Sequence, residues 1–393
     1  MSRLEIKKDI YWVGVKDPER KIFDGLMPLP HGTTYNAYLV EGSEKTALFD
    51  TVEPEFLDEL LANLAGVKKI DYIISHHAEQ DHSGSIALML EKFPEATLLC
   101  LQKNKEVLQT LMTIPDSRVR VVADGEEVSL GNKTVRFMFF PWVHWPETGM
   151  TYIPEDRLLF PCDFFGSHYS FEDLFAGDAP AVYAGAREYY VEIMMLYAKS
   201  TAKYLDRIKA LDIELICPSH GPVYDKPQLI FDCYETWMRA APENLALIAY
   251  VSTHGSTKIM AEHLQSALEK RGVKAAAVDI VGVPLNELAG PLTAPATIVL
   301  GSSVIMAALH PQAHYLAFLL DRLKPKAKYA AVIGSYGWSP NPLKTAGELL
   351  SSWKPELVGT VIAKGAPDAV AFAELDALAD SIAARHKEAG LLS

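Results

Sequence analysis

The spacing of hydrophobic positions changes near residue 240 of this 393-residue chain. Before that point, short segments alternate apolar and polar residues at the two-residue period of half-buried strands. Examples are "TTYNAYLVEG", "KTALFDT", "RVRVVADGEEVSLGNKTVRFMFF" and "GMTYIPEDRLLFPCD". Turns bearing Gly, Asn and Asp join them. Helical stretches are occasional: "EPEFLDELLANLA", then a passage at about 185–210 that leads to the short strand "IELICPSHGPV". Strands grouped in this way predict stacked, mainly antiparallel sheets. The segment "FDCYETWMRAAPENL" reads as a helix ending at Pro242, and it makes a hinge.

Beyond the hinge the pattern is regular. Apolar runs "LALIAYVS", "KAAAVDIV", "ATIVLGSS", "YAAVIGSYG" and "ELVGTVIAKG" alternate with helical stretches. Those stretches are "STKIMAEHLQSALEKRG", "PLNELA", "HPQAHYLAFLLDRL", "NPLKTAGELLSSW" and "DAVAFAELDALADSIAARHKEAG". Five strand–helix units describe a doubly wound parallel sheet. The expected domains are therefore residues 1–243 and 244–393.

Composition sharpens this division. From residue 244 onward 13 Lys and Arg meet 12 Asp and Glu, which leaves 24 against 38 for the first 243 residues. The net charge of -13 thus belongs to the first part, as expected of two separately built units. It also speaks against a nucleic-acid partner. No window approaches 18 consecutive apolar residues and the N-terminus has no hydrophobic signal core, so the expectation is a cytoplasmic protein with no membrane partner. Cys100, Cys162, Cys217 and Cys233 form no C-x-x-C pair, which disfavours a disulfide framework, a zinc ribbon or a rubredoxin module. They are expected as buried thiols.

The strand "DYIIS" leads into "HHAEQDHSGS", where three histidines, a glutamate and an aspartate fall between His76 and His82. His77, Glu79, Asp81 and His82 read H-x-E-x-D-H. Alternate residues leaving a strand point the same way, so His77, Glu79 and Asp81 can converge. His82 would turn in as a helix begins at Ser83, a favourable N-cap type. His76 does not fit the spacing and is expected as a neighbour. His144, Asp163 and His220 follow, each beside a turn signal. Four histidines and three carboxylates are roughly the supply for two metal ions with a bridging carboxylate. A nitrogen and oxygen set rich in carboxylates suits iron or manganese better than zinc. His31 is a candidate for the substrate pocket.

In the second half, the strand "LALIAYV" runs into "STHGSTKIMAEHL". The backbone N–H groups and hydroxyls of Ser252, Thr253, His254, Gly255, Ser256 and Thr257 can wrap a phosphate at a helix N-terminus. No P-loop lysine and no G-x-G-x-x-G is present, which disfavours ATP and NAD. Two later strand ends supply further loops: Ser302, Ser303 and Val304 in "GSSVIMAALH", and Ser335, Tyr336, Gly337 and Trp338 in "GSYGWS". The two aromatic residues could flank a flat ring. This arrangement resembles flavodoxin and implies FMN.

The order of the metal-type residues resembles the metallo-β-lactamase fold, whose hydrolases carry H-x-H-x-D-H and then isolated His, Asp and His. Glu79 departs from that pattern. An anionic oxygen in place of an imidazole favours ferric iron and moves the reading from hydrolysis to redox. With the flavodoxin-like half, essentially the whole chain resembles the flavodiiron proteins (A-type flavoproteins). The segments "TTYNAYL", "AREYYVEIMM" and "SHGPV" resemble family segments too.

The resemblance implies a metallo-β-lactamase-like αββα sandwich followed by a flavodoxin-like doubly wound sheet. It implies that His77, Glu79 and His144 hold one iron, and Asp81, His82 and His220 the other, with Asp163 bridging. In some members the histidine at the position of His82 stands back from the iron. Tyr190, or its neighbour Tyr189, would donate a hydrogen bond near the site. The implied activity is reduction of dioxygen to water or of nitric oxide to nitrous oxide. Implied partners are an external electron donor, by default rubredoxin and in some relatives a reduced deazaflavin coenzyme. A head-to-tail homodimer is implied as well, with a tetramer open. The basic run Arg322, Lys324, Lys326 and Lys328 either docks an acidic carrier or is a solvated helix end. Two rivals remain: a lactamase-class hydrolase fused to a flavodoxin-like domain, and a flavodoxin-like electron carrier with a structural metal domain.

Overall fold

The computed structural model describes residues 3–392, and the chain divides into two compact units on either side of the Met238–Arg239 bond. Among the described residues no helix is long and apolar enough to cross a membrane.

The first unit holds a seven-stranded and a five-stranded sheet. Alternation along the strands explains their stacking. Tyr38, Val40, Ala47, Phe49, Ile74 and Leu99 of the larger sheet share one buried core with Val135, Phe137, Ile153, Leu158 and Phe160 of the smaller. The intervening residues Leu39, Leu48, Ile73 and Leu98 point to the opposite face and are also fully buried. That second face is covered by helices Leu57–Asn63, Ile86–Lys92 and Gln102–Leu111, which bury Leu60, Ile86, Met89 and Leu108. The result is an αββα sandwich.

The sheets are mainly antiparallel, as expected, but one block of the larger sheet is parallel. Thr46–Phe49, Tyr72–Ile74, Thr97–Leu101 and Val119–Val122 run parallel to one another. Parallel pairing needs a crossover, and helices of only seven residues supply the first two. Such short helices read as interruptions of a strand pattern rather than as its connections.

The passage at 185–210 is also more broken than expected. An α-helix over Pro180–Tyr189 passes through a wide π turn, Tyr190–Met194, and a tight turn, Met195–Tyr197. It then resumes as an α-helix over Ala198–Lys209.

The second unit is a parallel sheet in the order Lys274–Asp279, Glu243–Tyr250, Pro295–Ile305, Tyr329–Tyr336, Glu356–Lys364. This 2-1-3-4-5 order is that of the flavodoxin-like fold. Helices Ser256–Glu269 and Ala369–Glu388 pack on one face through Met260, Leu264, Leu375 and Ile382. The expected helix at 341–353 is instead a short α-helix, Asn341–Lys344, and a 3-10 segment, Ala346–Leu350. The third strand runs past the sheet and folds back on Ala308–Leu309. Its two-residue tip, Met306 and Ala307, has positive φ at both positions, 53° and 57°.

Candidate metal centre and phosphate cradle

The seven metal-type residues come from loops that follow strand ends of both sheets in the first unit. Strand Tyr72–Ile74 ends before the H-x-E-x-D-H stretch, so strand alternation does not set the convergence of its members. Instead the chain turns into a short helix, Gln80–Ser83, which carries Asp81 and His82. Ser83 is not the cap of the following helix: its hydroxyl donates to the Ala78 carbonyl at 2.6 Å, and that helix starts at Ile86. His76 is held away from the donors. Its backbone N–H and Nδ1 both meet the Asp50 carboxylate, at 2.8 and 2.5 Å, and its Nε2 meets Thr151 Oγ1 at 2.8 Å.

The donor atoms form two groups. His77, Glu79, His144 and Asp163 offer atoms within 4.8 Å of one another, as do Asp81, His82 and His220. Asp163 joins the groups. Its Oδ2 lies 3.6 Å from His77 Nε2 and 3.5 Å from His144 Nε2. Its Oδ1 lies 3.0 Å from His82 Nε2 and 3.6 Å from His220 Nε2. Glu79 Oε2 meets both His77 and His144 at 3.0 Å, and Asp81 Oδ2 meets His220 Nε2 at 3.1 Å.

These contacts are close but not aligned as hydrogen bonds throughout. The ring nitrogens of His82 and the carboxylate oxygens of Asp81 and Asp163 are buried and make none. Buried polar atoms are normally satisfied. Donor atoms that crowd together without bonding one another are aimed at common points between them, as the ligands of metal ions are. The residues therefore fit an iron pair.

Electrostatics agree. Burial disfavours charge on His144, but the neighbouring Asp163 and Glu79 carboxylates outweigh it and raise its pKa to about 10. Burial would likewise raise Glu79, yet the His144 and His77 rings hold its carboxyl well below the usual range. Asp163 is held low by His82 and His144 against the same penalty. Cys162 also lies within 4.8 Å of His82 and Asp163 donor atoms. Its thiol is pushed up by burial and by Asp163, so it stays neutral and is a poor ligand.

A cavity of about 230 Å3 opens over the carboxylates of Glu79 and Asp81, walled by Phe23, Leu111 and Trp145, with Asp24 and Glu53 at its edge. His31 is not part of it. That residue is exposed, and its ring packs on Tyr169 at 5.5 Å. Tyr190 is turned away too, its hydroxyl donating to the Trp237 carbonyl at 3.3 Å. The tyrosine beside the centre is Tyr189, whose ring lies 4.8 Å from His168 and 5.7 Å from His220.

Three residues near the centre escaped the sequence reading. Glu147, fully buried, accepts from His77 Nδ1 at 2.7 Å. Its position, three residues after His144 in an otherwise apolar stretch, was the available signal. Thr34 accepts from His220 Nδ1 through its carbonyl at 2.7 Å, and no sequence signal marks a backbone acceptor. His168 lies against His220 with ring centroids 5.1 Å apart and bonds Thr33 Oγ1 through Nδ1. Burial and the His220 ring hold it neutral.

In the second unit, a cavity of about 460 Å3 is lined by Ser252, Thr253, His254, Ser256, Ser303, Val304, Ser335, Tyr336, Gly337 and Trp338, all expected, and by Ile305, Met306 and Gly365. The other three expected residues support the wall. Gly255 caps helix Ser256–Glu269 at φ 90°, a left-handed conformation that suits glycine. Thr257 and Ser335 share a hydrogen bond at 3.1 Å, and Ser302 donates to the Ser303 carbonyl at 2.8 Å. The helix has no acidic residue in its first turn, which leaves its positive end open to an anion. The hydroxyls of Ser252 and Ser303 are buried without partners. An oxygen-rich ligand would satisfy them, so the cradle fits FMN.

Of the basic run, Arg322 holds Asp321 at 3.0 Å and Lys326 donates to the Ala240 carbonyl at 3.1 Å, the bonding of a helix end.

Comparison with known proteins adds to this geometry. Residues 33–221 match the profile of the ODP family beta lactamase. The chain is 34% identical over 364 residues to a nitric oxide reductase of Moorella thermoacetica, with 90% of each covered. It is 31% identical over 354 residues to a flavo-diiron protein of Clostridium acetobutylicum, covering 86% of this chain and 88% of that one. Among solved structures, the rubredoxin oxygen:oxidoreductase of Desulfovibrio gigas aligns with a TM-score of 0.93 at 28% identity, over 98% of this chain and 99% of that one.

Proposed function

The chain belongs to the flavodiiron family of oxidoreductases, and from that premise we propose which of its residues hold the cofactors and what feeds them. It reduces dioxygen to water, nitric oxide to nitrous oxide, or both, with FMN and a non-haem iron pair. His77, Glu79 and His144 would hold one iron, Asp81, His82 and His220 the other, with Asp163 shared. The observation that carries this assignment is Asp163 itself, whose two oxygens face two separate donor groups. The iron pair, when bound, supplies electrons to a diatomic molecule, and FMN replaces them.

The protein's own groups shape the reaction space. Phe23, Leu111 and Trp145 wall the cavity through which a diatomic substrate would reach the Glu79 and Asp81 carboxylates. Glu147 and the Thr34 carbonyl fix the tautomers of His77 and His220, so that Nε2 of each carries the lone pair. In the second unit, residues 252–257 hold the FMN phosphate, while Tyr336 and Trp338 flank its ring.

Electrons come from an external donor. Rubredoxin is the first candidate and a reduced deazaflavin coenzyme the second. The working form is a head-to-tail homodimer, in which the FMN of one subunit serves the irons of the other. Free, largely buried cysteines suit a reducing compartment such as the cytoplasm. The decisive experiment purifies the protein without oxygen, measures iron and FMN per chain, and follows both gases with reduced rubredoxin as donor. Iron, FMN and gas consumption together are expected. Zinc in place of iron, or no uptake of either gas, defeats the reading. No observation favours the hydrolase alternative, since Glu79 takes the place of a hydrolase histidine.

A further inference from the structure

The two donor groups are similar in their own composition but not in what stands behind them. His77 donates through Nδ1 to Glu147 at 2.7 Å, and this carboxylate is fully buried and also accepts the Ala78 backbone N–H at 3.1 Å. Its second oxygen has no hydrogen-bond partner. Across the centre, His220 donates to a neutral acceptor, the Thr34 carbonyl, at 2.7 Å. His82 Nδ1 is buried and has no partner. With Asp163 shared, the first group is served by two anions, Glu79 and Glu147, and the second by one, Asp81.

No nearby acid braces the second group through a hydrogen bond as Glu147 braces the first. Glu53, beside Asp81, is paired with Arg20 at 3.3 Å. Asp24 acts on Glu79 and Asp81 alike. Asp50 uses both oxygens on His76 and bonds none of the donors, so its charge reaches His82 only through space.

Resting on the family reading above, we propose that Glu147 makes the two iron positions unequal, so that the one at His77, Glu79 and His144 binds more tightly and oxidises more readily. A carboxylate behind an imidazole fixes its orientation, raises the basicity of the far nitrogen and adds negative charge. In a buried site that charge is weakly screened. A carbonyl orients the ring without adding charge, and an unbraced ring such as His82 must also be ordered when it binds. Glu147 is a positioning residue that acts through His77.

The test follows iron release from the anaerobic, fully reduced holoprotein into excess ferrozine, alongside a redox titration read by electron paramagnetic resonance. Wild-type protein is expected to lose iron in two phases at least ~10-fold apart in rate. Glu147→Gln keeps an acceptor but removes the charge. It should bring the slow phase ~10- to 100-fold closer to the fast one and raise the potential at which the first electron leaves the pair. Glu147→Asp, which keeps the charge, should retain two phases and restore most of the potential. A merely structural role would leave the potential unmoved. Single-phase release from wild-type protein, which needs no variant to fold, overturns the inference, as does an unchanged Glu147→Gln profile. A wild-type protein that takes up no iron overturns the family reading itself, whereas two irons leaving together overturn only this inference.

Discussion

Asp163 has no substitute within the centre, because one oxygen serves each donor group. Asp163→Asn should cut iron per chain by at least about half and lower gas consumption ~100-fold or more, since losing even outer support costs ~10- to 100-fold. FMN content should stay unchanged, because every cradle residue lies in the other unit. His386 offers a test by pH. It is fully buried, with Nδ1 2.8 Å from Asn244 Oδ1 and Nε2 2.7 Å from Thr297 Oγ1, and burial lowers its pKa. The folded ring stays neutral while the unfolded ring takes a proton near pH 6.5. Its stabilisation is therefore complete above that pH and is lost as pH falls below it. Thermal melts of the holoprotein should weaken between pH 7.5 and 5.5, and His386→Gln should flatten part of that slope. The seven residues that gather into the two donor groups were legible in the sequence because each is a residue type with its own chemistry beside a turn. Glu147 and His168 were not, because a buried acid or imidazole acquires its meaning from a partner brought in by tertiary folding. Tyr189 and Tyr190 were indistinguishable for a similar reason: which one faces the centre depends on the turn that follows.

At the level of elements, the five parallel strands of the second unit were legible in rhythm and order, since strand and helix each repeat a simple period. The parallel block of the first unit was not, because crossover helices of seven residues carry little periodicity. The π turn at Tyr190–Met194 left no trace either, as its sequence suits an ordinary helix. The hairpin tip at Met306 and Ala307 is a further local departure. Two-residue hairpin loops with positive φ favour Asn and Gly, and neither is present here. Ala307→Gly should remove left-handed strain of about 1 kcal/mol and raise the melting temperature of the second unit, as calorimetry can measure. The strained tip also borders the cradle, with Met306 84% exposed. Relaxing it should loosen FMN, measured as a faster flavin off-rate.

For the whole molecule, the homodimer reading predicts that activity is tied to assembly. Sedimentation at working concentration should give a dimer, and dilution until monomers dominate should abolish turnover with iron and FMN still bound. Full activity in a monomer would contradict it. A second consequence follows from the partnerless hydroxyls of Ser252 and Ser303. Both line the cradle, which exists only in the folded chain, so a flavin that bonds them stabilises the fold. A ligand at 100 times its dissociation constant stabilises its host by about 2.7 kcal/mol, and calorimetry with and without FMN should resolve a shift of that order. Differences of this size change the steady-state abundance of proteins under continual proteolysis. Riboflavin supply would then govern how many copies of the enzyme a cell keeps, and not only how many of them are charged.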